Sequence, residues 1–210
     1  MRFQVLLLLV FSSFPAHLFA QQWEQVGDDW VRVSHMYLDE STNELYAGGY
    51  FYGPNGDTLC GLGKWNGNDW ELVAEINGDA FFKDIVFYGG KIVVGGIIYT
   101  LDHLSQWDGE SWSPVCSLPD DMQELNSISD LHVFNDELFI AGSFWAVDSV
   151  TETIGIVRFD GESWHNMQTD DFMNFSAPSP VETVRDYNGE LYIGGALLHE
   201  EIGHSYAIFN

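Results

Sequence analysis

After about residue 20 the chain is a succession of short apolar segments, each closed by a dipeptide suited to a tight turn. Asp84-Ile85-Val86-Phe87-Tyr88 runs into Gly89-Gly90, and Asp130-Leu131-His132-Val133-Phe134 runs into Asn135-Asp136. A second apolar segment follows each turn. These dipeptides tolerate positive φ and suit a two-residue hairpin. No long apolar stripe of helical period with capping residues appears, so the pattern predicts strands throughout.

The segments repeat. Asn43-Glu44-Leu45-Tyr46-Ala47-Gly48-Gly49 returns as Gly90-Lys91-Ile92-Val93-Val94-Gly95-Gly96, as Asp136-Glu137-Leu138-Phe139-Ile140-Ala141-Gly142 and as Gly189-Glu190-Leu191-Tyr192-Ile193-Gly194-Gly195. A second motif follows the first three copies: Trp65-Asn66-Gly67-Asn68-Asp69-Trp70, Trp107-Asp108-Gly109-Glu110-Ser111-Trp112 and Phe159-Asp160-Gly161-Glu162-Ser163-Trp164. Two motifs in constant order at this period mark a tandem repeat. Each unit resolves into four strands: one before the turn, one ending in the glycine doublet, one ending in the first aromatic and one beginning at the Trp. The fold class expected is all-β, a β-propeller of about four four-stranded antiparallel blades.

The doublet closing the second strand and the aromatic-to-Trp interval resemble kelch-type repeats, as in the central domain of galactose oxidase. The match is divergent. The third copy has Ala141-Gly142, and the interval from Trp65 to Trp70 is shorter than the usual kelch one. The pattern looks most like the repeats of large secreted bacterial surface proteins. The resemblance implies a fold and no particular activity, because propellers host binding proteins and enzymes alike. Copper chemistry of the galactose-oxidase kind is not carried over, since no Cys-Tyr arrangement supports it.

Residues 1–20 read as a secretory signal peptide: Arg2, an apolar run from Val5 to Phe11, and Ala20 before the cut. The run is too short to span a bilayer. Residues 21–210 are then an exported propeller segment, secreted or at the cell surface, with no membrane insertion. Its last match, Tyr206-Ala207-Ile208-Phe209-Asn210, stops inside a third-strand motif, which predicts truncation at the C-terminus. The alternative is a four-bladed ring closed by Trp23-Glu24-Gln25-Val26, a fourth-strand sequence lacking its own first three strands.

Charge narrows the partners. Seven Lys and Arg stand against 32 Asp and Glu, a formal net charge of −25, which argues against nucleic acid and anionic lipid. The ligand expected is a protein or a glycan. Export permits a bridge between Cys60 and Cys116, and the sequence leaves their pairing open.

In a meander the second-to-third and fourth-to-first connections share one end of the sheets, and the hairpins share the other. The hairpins are nearly identical, so the variable end is the better place for a ligand. It carries Asp28, Asp29, Asp79, Asp120, Asp121, Asp170 and Asp171 in successive connections. Carboxylates gathered there could hold calcium. The alternative is solvated loop charge, since no D-x-[DN]-x-[DN]-G loop is present. Trp145, with Tyr50, Phe51, Tyr52 and Tyr99, could stack on sugar rings, or could be strand-end core. Trp23, Trp70, Trp112 and Trp164, equivalent by repeat, are expected to pack between blades. His199 and His204 are five apart, not the four that zinc needs on a helix. No nucleophile motif is present, so a non-catalytic binding or scaffold protein is the expectation. A propeller enzyme acting on extracellular glycans, oxidase or hydrolase, is the alternative.

Overall fold

A computed structural model describes residues 32–53, 55–98, 101, 103–115, 127–144, 146–147, 150–151, 153, 155–167, 181–195 and 206–209. Among them there is no helix, and none is long and apolar enough to cross a membrane. The protein is all-β and antiparallel. The first sheet is β1 (Arg32–Asp39), β2 (Glu44–Tyr52), β3 (Thr58–Trp65) and β4 (Trp70–Ile76). The second is β5 (Ala80–Tyr88), β6 (Lys91–Ile98), β7 (Leu104–Trp107) and β8 (Trp112–Pro114).

The third sheet holds β9 (Ser127–Phe134), β10 (Glu137–Ser143), β13 (Ile156–Phe159) and β14 (Trp164–Asn166). A small hairpin of β11 (Ala146–Val147) and β12 (Val150–Thr151) is inserted between β10 and β13. The fourth sheet is β15 (Val181–Tyr187), β16 (Glu190–Gly195) and β17 (Tyr206–Phe209), strand neighbours in chain order as in the others.

The turn chemistry is that read from the sequence. Gly89-Gly90, Asn135-Asp136 and Asn188-Gly189 all have positive φ, as a primed hairpin turn requires. In the third-to-fourth hairpins the first side chain of the turn folds back on the backbone. Asn66 Oδ1 accepts the N–H groups of Asn68 and Asp69, Asp108 Oδ1 those of Glu110 and Ser111, and Asp160 Oδ1 those of Glu162 and Ser163. The flanking aromatics meet across the strand pair, Trp65 on Trp70, Trp107 on Trp112 and Phe159 on Trp164, with centroids 5.5, 5.4 and 4.6 Å apart. Ser111 and Ser163 are part of the turn, as their repeat position predicts.

Successive sheets pack face to face, and their first strands contact one another in order: β1 on β5, β5 on β9, β9 on β15. Three apolar clusters fill the three interfaces. Leu62, Ala74 and Ile76 meet Phe82, Ile85 and Val94 between sheets one and two. Val86, Val93 and Leu104 meet Ile128, Leu131 and Leu138 between two and three. Phe139, Ala141 and Ile156 meet Val181, Val184 and Leu191 between three and four. Two of the repeated Trp residues join these seams, Trp112 and Trp164, whereas Trp70 packs on Phe51 and Trp65 of its own sheet. Trp112 Nε1 donates to the Glu75 carbonyl of the preceding sheet at 3.0 Å, and Trp164 packs against the second cluster.

A β-bulge recurs in every first strand. The register with the second strand shifts between Val33 and His35, Phe82 and Asp84, Ile128 and Asp130, and Val181 and Thr183. One extra residue is therefore accommodated at Ser34, Lys83, Ser129 and Glu182. A bulge re-aims the side chains beyond it, which breaks simple alternation and sets two residues of each strand against neighbouring sheets.

The glycine doublet answers both demands. A Cβ on the second glycine would strike the carbonyl of Arg32 at Gly49, or of Phe81 at Gly96, where the bulge brings the first strand close. The first glycine faces the next sheet. Phe82 lies over Gly48, and Ile128 lies over Gly95, where a Cβ would be 2.5 Å from Ile128 Cγ2. In the third sheet the same position is Ala141, and Val181, which stands where Ile128 does one repeat earlier, is a smaller member of the cluster that contains it. The departure from the doublet is thus accompanied by a smaller residue at the knob position of the next sheet.

Gly95→Ala should lose about 1–3 kcal/mol of stability, the range for overpacking a core. Paired with Ile128→Val it should show a favourable coupling of about 1 kcal/mol in a double-mutant cycle of urea unfolding. Strict additivity would mean that the two residues do not set each other's size.

Candidate functional site

Two polar groupings lie at the variable end or just inside it. The outer one is at the junction of the first two sheets. Asp79, in the connection from β4 to β5, accepts a hydrogen bond from the Tyr50 hydroxyl of β2 at 3.0 Å. Tyr52 stands exposed at the end of β2. The second-to-third and fourth-to-first connections therefore do share an end here, as strand alternation predicts. Burial, followed by the Asp79 hydrogen bond, raises the Tyr50 pKa, so that phenol stays protonated and is a donor at neutral pH. Arg32 is the register partner of Tyr50 across the β1–β2 pair.

Phe51 corrects the aromatic grouping. It is buried, its ring fills the space above Gly63 and it packs 6.2 Å from Trp70, because a glycine on β3 leaves a gap that only a large neighbour can close. It is core and offers no stacking surface. Of the other candidates, Asp28, Asp29, Asp120, Asp121, Asp170, Asp171, Trp145, Tyr99 and the His199–His204 pair lie outside the described residues. Among the described residues no group of three or more His, Cys, Asp or Glu is arranged to hold a metal ion. Cys60 is a buried free thiol whose Sγ points at the Ala80 carbonyl at 3.9 Å; burial raises its pKa. Cys116 lies outside the described residues.

The inner grouping was not anticipated. The residue after each bulge is His35, Asp84, Asp130 or Thr183, and each is paired with the first residue of its doublet, Gly48, Gly95, Ala141 or Gly194. These four form a chain across the three seams. His35 Nε2 lies 2.8 Å from Asp84 Oδ1. Asp84 Oδ2 accepts the Leu131 N–H of the next sheet at 2.8 Å. Asp130 Oδ2 accepts the equivalent N–H one sheet further on, that of Val184, at 2.7 Å, together with the Thr183 hydroxyl at 2.9 Å and the Arg185 guanidinium at 2.6 Å. Both carboxyl groups are almost fully buried, at 5% exposure each.

Burial alone would raise both pKa values. At Asp84 that effect is outweighed by the His35 and Asp130 hydrogen bonds and the Leu131 N–H, and its pKa is lowered. At Asp130 burial and the neighbouring Asp84 prevail over Arg185 and the Val184 N–H, and its pKa is raised. Of the two, Asp130 is the carboxyl whose surroundings favour the protonated form. Each buried oxygen that bridges a seam is engaged by a backbone or side-chain donor, which makes the chain a fastening between sheets. Its signal in the sequence is one residue type at one repeat position, Asp84 and Asp130 in the middle of equivalent strands.

The hairpin end differs in character. Asp108 and Asp160 are held below the usual carboxylate range, Asp108 chiefly by the Ser111 N–H and Asp160 chiefly by His165, 2.6 Å away. Glu44 binds Lys64, and Glu137 binds Arg158, at matching positions of the first and third sheets. These charges are committed to their own sheet.

Comparison with protein-family models gives no match. Comparison with curated protein sequences gives none either.

The paired carboxyls carry opposite pH signatures. The stabilisation from Asp84 is present above the unfolded-state pKa, about 3.9, and is lost as pH falls through its lower folded value. That from Asp130 is complete below about 3.9 and declines as pH rises through its higher folded value. Asp130→Asn should therefore remove a loss of stability on raising the pH from about 4, measured by urea unfolding at a series of pH values. Asp84→Ala, which strips the Leu131 N–H of its acceptor, should cost about 2 kcal/mol or more. A pH profile unchanged by Asp130→Asn would rule out a raised Asp130 pKa.

Proposed function

We propose that the chain is a secreted β-propeller segment, similar to kelch-type repeats, that binds a protein or glycan ligand without catalysis at the cell surface. Three features support the propeller reading. The four sheets are meanders of one pattern, successive first strands pack on one another, and one bulge-and-doublet device joins every pair. In this reading the first strands line the propeller axis.

The observation that carries the binding reading is the contrast between the two ends of the sheets. At the hairpin end the polar side chains repeat and are consumed in turns and ion pairs. At the other end Tyr50 and Asp79 have no repeated equivalents and lie in or beside the connections that vary, with the exposed Tyr52, an aromatic at a position where Tyr99 and Trp145 stand in the next two repeats, beside them. A phenol donor, a carboxylate and an exposed ring within one junction form a surface suited to hydroxyl-rich or basic ligands. The buried Asp84 and Asp130 resemble a catalytic acid pair in composition. Their oxygens are engaged by backbone and side-chain donors of adjacent sheets, which favours a fastening role over catalysis. The acidic surface adds attraction for cationic partners that weakens with salt.

The test is a screen of the purified chain against a glycan array and a basic-peptide array, followed by titration of the best probe. Tyr52→Ala combined with Asp79→Ala should weaken that probe by about tenfold or more, a loss of about 1.4 kcal/mol. Glu110→Ala with Glu162→Ala, at the hairpin end, should leave it unchanged. The opposite pattern would place the ligand at the wrong end, and turnover of a glycan would favour the enzyme reading.

A further inference from the structure

Three polar side chains meet at the junction of the first two sheets, and their hydrogens decide what each can offer a ligand. Tyr50 packs against the apolar cluster between those sheets, so its face of β2 is the one turned towards the second sheet. Its single hydroxyl proton goes to Asp79 Oδ1. The phenol keeps only its lone pairs, and Asp79 adds a second acceptor in Oδ2. Among the described residues Asp79 accepts no other hydrogen bond. Arg32 stands opposite Tyr50 across the β1–β2 pair, and residues so paired share one face of a sheet. Burial and the Asp79 hydrogen bond raise the Tyr50 pKa while Arg32 opposes them, so its charge is felt at the phenol.

Lys64, Arg158 and Arg185 each bind a carboxylate of the protein itself. Arg32 is exposed and, among the described residues, has no such partner. Its guanidinium N–H groups therefore remain for a ligand. The cluster offers two acceptors and one set of donors, with one negative and one positive charge around a single phenol. A basic segment could donate to Asp79 and Tyr50, but it brings no acceptor for Arg32 and meets its like charge. An acidic ligand satisfies Arg32 and meets both Asp79 and the net charge of −25. An uncharged ring with adjacent hydroxyls suits all three side chains, because each hydroxyl both donates and accepts. Tyr50 Oη and Asp79 Oδ1 are 3.0 Å apart, a spacing that hydroxyls on neighbouring ring carbons can span. Tyr52, two residues along β2, is exposed and gives such a ring a surface to lie on.

We propose that Arg32, Tyr50 and Asp79 together bind an uncharged, polyhydroxylated ligand, a neutral sugar ring, and select it against basic and acidic ones. The inference rests on the reading that this end of the sheets binds a ligand, and it narrows that reading to one chemical class. The acidic field of the whole molecule gathers cations, and Arg32 turns them away at this point. Contact with a neutral ring is short-range hydrogen bonding, so ionic strength should matter little to it.

The experiment is a screen of the purified chain on arrays of neutral, acidic and amino-bearing glycans and of basic peptides. The best probe of each kind is then titrated by calorimetry at low salt and at about 1 M salt, where the Debye length is about 3 Å. Neutral glycans should be the ones bound, with an affinity that salt leaves unchanged. Arg32→Ala, Tyr50→Phe and Asp79→Ala should each weaken that probe by about tenfold or more. Arg32→Ala should keep the wild-type melting temperature, since the side chain is exposed. The sign at Arg32 is decisive, because its removal strengthens a basic ligand held at Asp79 and weakens a neutral one. A basic peptide that binds more tightly to Arg32→Ala and is released by salt would overturn the neutral class and leave the ligand site standing. So would an acidic glycan preferred over its neutral counterpart. A neutral glycan indifferent to all three substitutions would overturn the cluster as its site. Binding to neither array would overturn this inference and the binding reading together.

Discussion

The close approach of one first strand to the next governs the rest of this structure. A sheet face carrying ordinary side chains keeps its neighbour about 10 Å away. Here each second strand carries a small residue where the neighbouring first strand comes nearest. Phe82 over Gly48 and Ile128 over Gly95 are the direct expression of that approach. The bulge before each of these contacts is what makes it possible, since it turns two nearby residues of one strand towards different sheets. The doublet is therefore a requirement of the geometry on two counts, and Ala141 replaces its first glycine in the seam where the smaller Val181 takes the knob position.

Close approach brings backbone amides of one sheet within reach of side chains of the last. Hydrophobic burial is indifferent to small rotations of one sheet against another, whereas a carboxylate facing a particular N–H is not. Asp84 on Leu131 and Asp130 on Val184 repeat one contact in two seams, and His35 and Thr183 continue the chain at its ends. A buried carboxylate is weak evidence for net stability. Its value here lies in orientation: the apolar clusters hold the sheets together, and the fastened carboxyls fix the angle and register at which they meet.

The sequence reveals the local geometry well and the seams poorly. Asn-Gly, Asp-Gly and Gly-Gly turns were legible because φ and side-chain reach are local properties, and the structure places each as read. The four-strand pattern was legible for the same reason. The role of Asp84 and Asp130 was not. An acidic residue before an apolar run reads as a strand start facing water, whereas both lie inside longer strands, and the bulge, which leaves no compositional trace, turns them inward. Phe51 was ambiguous because an aromatic at a strand end suits a ligand or a core equally. Gly63, distant in sequence and adjacent in space, decides it. Asp79 and Tyr50 were both marked as candidates, yet their contact crosses from one sheet to the next connection and follows from no spacing along the chain.

The paired sizes at the seams make the repeats non-interchangeable despite their common pattern. Phe82 belongs with a glycine, and on Ala141 its ring would meet a methyl group. Val181 belongs with Ala141, and on Gly48 it would leave a void. Repeats of this kind arise by duplication, and a fresh duplicate can sit anywhere in the array. Once knob and hole have diverged in matched pairs, each sheet carries an address. Recombination between copies that shuffled their order would keep every strand and every turn intact and still be rejected at the seams. Ala141 with Val181 in one seam, against glycine with Phe82 or Ile128 in the others, thus makes the sheets distinct, ordered parts of one array.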